Sequence, residues 1–130
     1  MNSSIEEFYQ TIGEAALEMA DDMSGTLLLY AEVEDGHSSC ALFYETEAGI
    51  VRYRRCSELL WELIDSFWER WREGPCNHEW RVMCYVIEDG KFRIDYTYPD
   101  QINEEEGVPD RRPSAITKYF GDKKVDYSNP

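Results

Sequence analysis

The sequence has no lysine or arginine before Arg52. Residues 1–51 hold 11 of the 27 acidic residues and none of the 13 basic ones, and the whole chain carries a net charge of −14. Nucleic acids and anionic membranes are bound through Lys and Arg, so this composition argues against both as partners. It favours a cationic partner, although acidity alone also serves solubility.

Long apolar runs and a cysteine framework are also missing. No stretch approaches the roughly 20 apolar residues that cross a bilayer, and no apolar segment follows a basic start, so we expect neither a membrane span nor a signal peptide. The 4 cysteines stand at irregular intervals without a C-x-x-C pair, which favours reduced thiols over disulfides. We therefore expect a cytoplasmic protein.

What is present predicts an α+β fold, in which an antiparallel sheet of about five strands packs against two amphipathic helices. The length of 130 residues suits a single domain over 1–130, with a compact core at about 4–99 and a partly irregular segment at 100–130. The predicted elements are a helix over 4–23, strands over 26–33, 40–47 and 50–54, a helix over 57–73, strands over 80–88 and 91–98, and one or two helical turns within 114–121.

Local signals define several of these boundaries. Ser4 with Glu7 forms a capping-box pattern, Gly25 suits the exit of the first helix, and Ser57 suits the cap of the second. A two-residue turn at Ala48-Gly49 predicts that Glu45 faces Arg52 across two strands. Asp89-Gly90 predicts a tight hairpin, whose first strand is apolar on both faces and therefore internal.

Motifs for catalysis are weak. The stretch GHSSC at 36–40 has Cys40 where a nucleophile elbow needs glycine, and a strand follows instead of a helix. His37 and Cys40 with Cys76 and His78 match the ligand count of a zinc site but not its usual spacing. Asp95 is one acid among many, so its presence identifies no reaction. We predict no catalytic residue, no metal and no cofactor.

Several phrases along the chain resemble the YezG-like immunity and antitoxin proteins of bacteria. The phrases are FYQTIGEAA, LLLYAEVEDG leading to ALFYE, LLWELIDSFWERWRE, EWRVMCYVIEDGKFRIDYTYPD, and the arginine pair of PDRRPSAITKYFG. The resemblance implies a small α+β cytosolic protein that binds and neutralises a cognate toxin domain, often a secreted nuclease. A toxin that grips nucleic acid exposes Lys and Arg, so the acidity of this chain is compatible with that role.

We therefore predict an immunity protein that inhibits a basic toxin domain by binding it. The residues predicted to face the toxin are Glu32, Glu34, Asp35, Glu45 and Glu47. Two alternatives stay open: a small metal-dependent or hydrolytic enzyme that uses Asp95 or the His and Cys groups, and an adaptor without a toxin partner. The sequence leaves open the identity of the toxin and the oligomeric state.

Overall fold

A computed structural model of the chain describes residues 5–34, 37–73, 80–102 and 108–128. Its elements in chain order are helix α1 Ile5–Met19, strands β1 Met23–Glu34, β2 His37–Thr46 and β3 Val51–Arg54, helix α2 Glu58–Arg72, strands β4 Val82–Glu88 and β5 Lys91–Thr97, a 3₁₀ turn at Pro99–Gln101, helix α3 Val108–Phe120, and strand β6 Val125–Asp126.

The six strands form one sheet in the order β5-β4-β1-β2-β3-β6. Every neighbouring pair is antiparallel except β3 and β6, which run parallel. The α+β class is therefore confirmed, but the described residues form a mixed sheet of six strands with three helices, instead of about five strands with two helices. The extra elements lie in the last quarter of the chain, where the sequence shows little hydrophobic periodicity.

The two faces of the sheet are covered by different helices, as the alternation of side chains along a strand requires. Leu27 and Leu29 of β1 pack beneath α1 and α2, with Ile12 and Phe67 among their neighbours. The residue between them, Leu28, points to the other face. There the apolar side of α3 covers the strands through Ile116 and Phe120. The structure thus has three layers.

The first helix is shorter than predicted. It ends at Met19, and Met23, the last residue of the predicted helix, is the first residue of β1. Gly25 does not form the helix exit; its φ of 115° lies inside β1, where the pairing with β2 is irregular. A Cβ atom there would stand 3.1 Å from a carboxylate oxygen of Glu45. Glycine is therefore needed because of the positive φ and because of this close approach.

The turn between β2 and β3 has three residues and not two. The Thr46 amide donates to the Ile50 carbonyl at 3.0 Å, and Gly49 adopts a φ of 75°. This shifts the pairing by one residue, so Arg52 faces Tyr44 and Glu45 faces Val51. The predicted Glu45–Arg52 pair is wrong, because a shift of one residue moves a side chain to the other face of the sheet.

The β4–β5 hairpin is confirmed. Its turn consists of Asp89 and Gly90, with φ values of 54° and 73°, and Glu88 pairs with Lys91. Positive φ at both central residues matches the twist of the strands that follow. β4 lies inside the sheet, as its apolar residues on both faces predicted, and β5 lies at the edge.

Helix α2 begins where Ser57 predicted, because the hydroxyl of that residue accepts the Leu60 amide at 3.2 Å. The two tryptophans on its flank have different environments. Trp68 is buried and donates to the Trp80 carbonyl at 2.9 Å, while Trp61 is partly buried and donates to the Ser38 hydroxyl at 2.7 Å. Both rings therefore join the helix to the sheet.

The segment after Pro99 contains more regular structure than predicted. Residues 108–113, predicted to be irregular, are helical and continue to Phe120, with Pro113 inside the helix. Val125 and Asp126 then pair with β3, so part of the segment predicted to be partly irregular is held by the sheet. Ser4 of the predicted capping box, and the region 103–107, lie outside the described residues.

We predict that Gly13→Ala destabilises the protein, although alanine normally favours a helix over glycine. A Cβ atom at Gly13 would stand 2.5 Å from the hydroxyl oxygen of Tyr85, a buried ring whose hydroxyl donates to the Tyr9 carbonyl at 2.6 Å. We expect a loss of about 1–3 kcal/mol in the free energy of unfolding, measured by urea titration.

The matched test of this contact is a double-mutant cycle with Tyr85→Phe, which removes the oxygen involved. The double variant should be more stable than the sum of the single changes implies, by about 1–2 kcal/mol. Additive losses would show that the close approach of α1 to the sheet is not the cause.

Candidate functional site

The first of the predicted toxin-facing residues, Glu32, lies in the interior. Its exposure is 4%, and it is one of the few buried charged residues in the described part of the chain. The Tyr30 hydroxyl donates to one carboxylate oxygen at 2.6 Å, and Arg111 of α3 donates to the other through Nη2 at 2.5 Å and Nε at 3.2 Å. Glu32 is therefore a structural anion, and its assignment to an exposed binding surface is wrong.

In this buried cluster, Glu32 and Arg111 form an ion pair in which each charge compensates the other. Burial, followed by the hydrogen bond to Glu32, raises the pKa of the Tyr30 hydroxyl far above its usual range. The Glu32 carboxylate, through its hydrogen bond, also raises the pKa of the Arg111 guanidinium, against the opposing effect of burial. Each charge has its partner inside the protein.

Glu45 is likewise bound within the protein. Its side chain is 14% exposed, accepts the Thr26 amide at 3.0 Å and forms an ion pair with Lys123. Burial alone would raise the pKa of this carboxyl, but the Lys123 and Thr26 contacts outweigh it and lower the pKa below the ordinary 4.5. Glu45 therefore holds the segment after α3 against the sheet.

The remaining predicted residues divide into two groups. Glu34 is the last residue of β1, and its side chain, like Asp35, lies outside the described residues. Glu47 is exposed in the turn after β2. The five predicted residues therefore do not form one described surface, since two of them are bound inside the protein.

Glu47 contributes to an open depression of about 550 Å³ at one end of the sheet. Among the described residues, the other acidic side chains of its wall are Asp21, Asp22 and Asp126, and Arg52 is the basic residue there. Asp22 accepts the Tyr44 hydroxyl at 2.6 Å and the Arg52 guanidinium at 2.9 Å. The Tyr44 contact is the larger cause that lowers the pKa of Asp22. We call these five residues the acidic depression.

The acidic depression continues onto the outer surface of the two-helix layer. Asp21 and Asp22 follow directly after α1, whose sequence contains no Lys or Arg. In α2, Arg70 and Arg72 form ion pairs with Glu73 and Glu69 of the same segment. The exposed acidic residues of this layer are Glu6, Glu7, Glu14, Glu18, Asp21, Asp22, Glu58, Glu62, Asp65, Glu69 and Glu73.

The opposite face of the sheet has a more even charge. The basic residues on this side include Lys91, Arg93, Arg111, Arg112, Lys118, Lys123 and Lys124. Several of them meet partners within the protein, such as Glu32 and Glu45, and Arg112 lies 5.9 Å from the Tyr53 ring. Among the described residues, the larger excess of acidic over basic side chains therefore lies on the side of α1 and α2.

The residues of the rival catalytic hypotheses are placed as follows. Asp95 accepts the Tyr119 hydroxyl at 2.5 Å, so it joins β5 to α3. Cys40 is partly buried, and its contact with the Cys56 thiol, together with burial, raises its pKa. Cys76, His78 and the side chain of His37 lie outside the described residues. Within the described ranges, no three His, Cys, Asp or Glu side chains are grouped as metal ligands.

The chain matches neither a protein-family model nor a curated protein. In the parts of the chain described here, none of the helices is both long and apolar enough to cross a bilayer. The functional argument therefore rests on the chemistry of the surface itself.

The acidic surface of α1 was missed at the sequence level, although a signal for it exists. Glu7, Glu14 and Glu18 stand opposite the apolar stripe that predicted the helix. Glu14 and Glu18 are four positions apart and repel each other, which disfavours the helix slightly. Asp126 had no such signal, because its place beside Asp22 follows from the pairing of β6 with β3.

We predict that Arg111→Met lowers the free energy of unfolding by about 3–5 kcal/mol, because it leaves the Glu32 carboxylate buried without a counter-charge. Adding Glu32→Gln should recover more than half of the loss, since the remaining amide needs only hydrogen bonds. Chemical denaturation of the wild type and the three variants checks this. A double variant as unstable as Arg111→Met would contradict the ion-pair account.

We also predict a specific acid sensitivity for Glu45. Its folded pKa lies below 4.5, so its stabilising effect is present above that pH and is lost as the pH falls through the folded pKa. Glu45→Gln should therefore cost about 0.5–1 kcal/mol near neutral pH, as expected for a partly exposed pair, and almost nothing at an acidic pH below the folded pKa. Glu47→Gln, on the exposed turn, is the control, and an equal loss at both pH values would contradict the prediction.

Proposed function

We propose that this protein is an immunity protein, which binds and neutralises the basic domain of a cognate secreted bacterial toxin, with a nuclease as the expected toxin. It would act in the cytoplasm of the cell that produces the toxin, in the manner of the YezG-like family that the sequence resembles. The observation that carries the proposal is the acidic surface formed by α1 together with the acidic depression. Helix α1 contains no basic residue.

The fold supports this role by binding several of its own cations with its own acidic groups. Arg111 and Lys123 are bound by Glu32 and Glu45 on the opposite face of the sheet. Arg52, which lines the depression among the described residues, is held by Asp22. Asp21 and Glu47 stay exposed beside it, so Lys or Arg side chains of a partner would find carboxylates that the protein leaves available.

The mechanism that follows is inhibition by occupation. A field of one sign accelerates the encounter of oppositely charged proteins, and it falls off within a Debye length of about 8 Å at physiological salt. Once bound, an acidic surface takes the place of the phosphates that a nuclease grips. A catalytic role that uses Asp95 has less support, because this carboxylate is bonded to Tyr119.

The first test measures binding at different salt concentrations. The toxin domain is sought in the gene immediately upstream, and its affinity for the protein is measured by calorimetry between about 0.05 M and 0.5 M NaCl. We expect the dissociation constant to rise at least about tenfold over this range, together with loss of toxin inhibition. An affinity that does not change with salt would contradict binding through the acidic surface.

Charge reversal then locates the surface. Asp21→Lys lies in the wall of the depression, and Asp100→Lys is a matched reversal at an exposed residue after β5. We expect Asp21→Lys to weaken binding about tenfold, which is about 1.4 kcal/mol, and Asp100→Lys to leave it within about twofold. Equal effects of the two variants would show that only net charge matters and would reject this site.

A further inference from the structure

Strand β5 leaves one of its edges unpaired. The two-residue turn makes Glu88 and Lys91 a hydrogen-bonded pair, and such pairs recur at every second residue of an antiparallel ladder. The odd-numbered residues of β5 therefore point their backbone groups at β4, as the Arg81 amide bonded to the Thr97 carbonyl at 2.8 Å illustrates. The amides and carbonyls of Phe92, Ile94 and Tyr96 point outward.

These outward groups have no partner in the part of the chain that the structure describes. No element lies beyond β5 in the order of the sheet, and no backbone bond from the three residues to another segment is found among the described residues. The strand is seven residues long, and Phe92 is 50% exposed. Natural edge strands with these properties are templates for pairing unless they are blocked.

We propose that β5 pairs with β5 of a second copy, antiparallel and centred on Ile94. Ile94 would then face Ile94 of the other copy, and Phe92 would face Tyr96, in pairs that exchange backbone hydrogen bonds. The two sheets would become one continuous sheet of twelve strands, related by a two-fold axis. This proposal is independent of the toxin-binding function.

Charge complementarity selects both the partner and the register. With the axis at Ile94, Arg93 of each copy faces Asp95 of the other in a closely spaced pair without backbone bonds. Only Phe92, Ile94 and Tyr96 present their backbone groups to a second copy, so the pairing of the two strands can shift only in steps of two residues. Each such step moves the two-fold axis by one residue along β5. An axis at Arg93 would place two arginines opposite each other, and an axis at Asp95 would place two aspartates opposite each other.

The same charges disfavour the basic toxin as occupant of this edge. β5 carries two basic residues, Lys91 and Arg93, and one acidic residue, Asp95, so its charge would repel a cationic strand. A second copy of β5 that runs in the opposite direction would instead place opposite charges against each other. The association should be weak for two reasons. Each chain has a net charge of −14, and a single strand pair buries less than the about 1,200 Å² of stable interfaces.

The first experiment is sedimentation of the isolated full chain at about 0.15 M salt, over concentrations up to about 1 mM. We expect the mass to rise with concentration from 15.3 kDa towards twice that value. Arg93→Glu should weaken the association at least about tenfold, since it places like charges opposite each other twice. A monomer at every concentration would overturn the proposal.

Two variants make the result specific. Arg55→Glu changes the net charge equally at an exposed residue outside the sheet, and it should leave the association unchanged. Arg93→Glu with Asp95→Arg restores opposite charges across the axis, and it should recover the dimer. Thermal melting checks that each variant is folded. Equal weakening by Arg55→Glu, or no recovery in a folded double variant, would reject this register.

Amide hydrogen exchange in the wild type tests the edge without substitution. Raising the concentration should slow exchange at the amides of Phe92, Ile94 and Tyr96, and leave Arg93 and Asp95 unchanged, because those two are already bonded to β4. A dimer without this alternation would use another surface. Protection that appears only on adding the toxin domain would assign the edge to that partner. Either outcome overturns the proposal.

Discussion

The ion pair between Glu32 and Arg111 joins the middle strand of the sheet to the helix on its second face, across 79 positions of sequence. Removing two charges from water is costly, and here the cost is offset by good geometry and by the Tyr30 hydroxyl. This contact helps to fix the position of α3, together with the packing of Ile116 and Phe120 on the strands. Without α3, the sheet would expose an apolar face to water.

The same contact explains how charge is distributed over the molecule. A chain with fewer cations than anions uses Arg111 and Lys123 to hold the α3 side of the fold together. On the side of α1 and α2, Arg52, Arg70 and Arg72 form ion pairs with neighbouring acidic residues, but α1 contains no basic residue and its acidic residues repel one another. That arrangement works against stability, which is understandable if the surface meets its counter-charge on a partner.

Local signals predicted the elements that short-range chemistry determines. The hairpin turn at Asp89-Gly90 and the cap at Ser57 appeared where the sequence placed them, because each depends on a few neighbouring residues. The signals failed where distant parts of the chain decide. From the sequence alone Glu32 is predicted to lie on the surface, because nothing near it in the chain indicates that Arg111 is its partner. Helix α3 was not predicted in full, because its charges and prolines hide an apolar stripe. The register of β2 and β3 depended on one extra residue in a turn.

The most direct test of the account is a map of amide protection in the complex with the basic toxin domain, obtained by hydrogen–deuterium exchange. The account predicts slower exchange in the last turn of α1, in the Asp21–Asp22 turn and around Glu47, with α3 unchanged. Slower exchange confined to α3, with the α1 side unaffected, would contradict the claim that the protein binds its partner through the surface of α1 and the acidic depression.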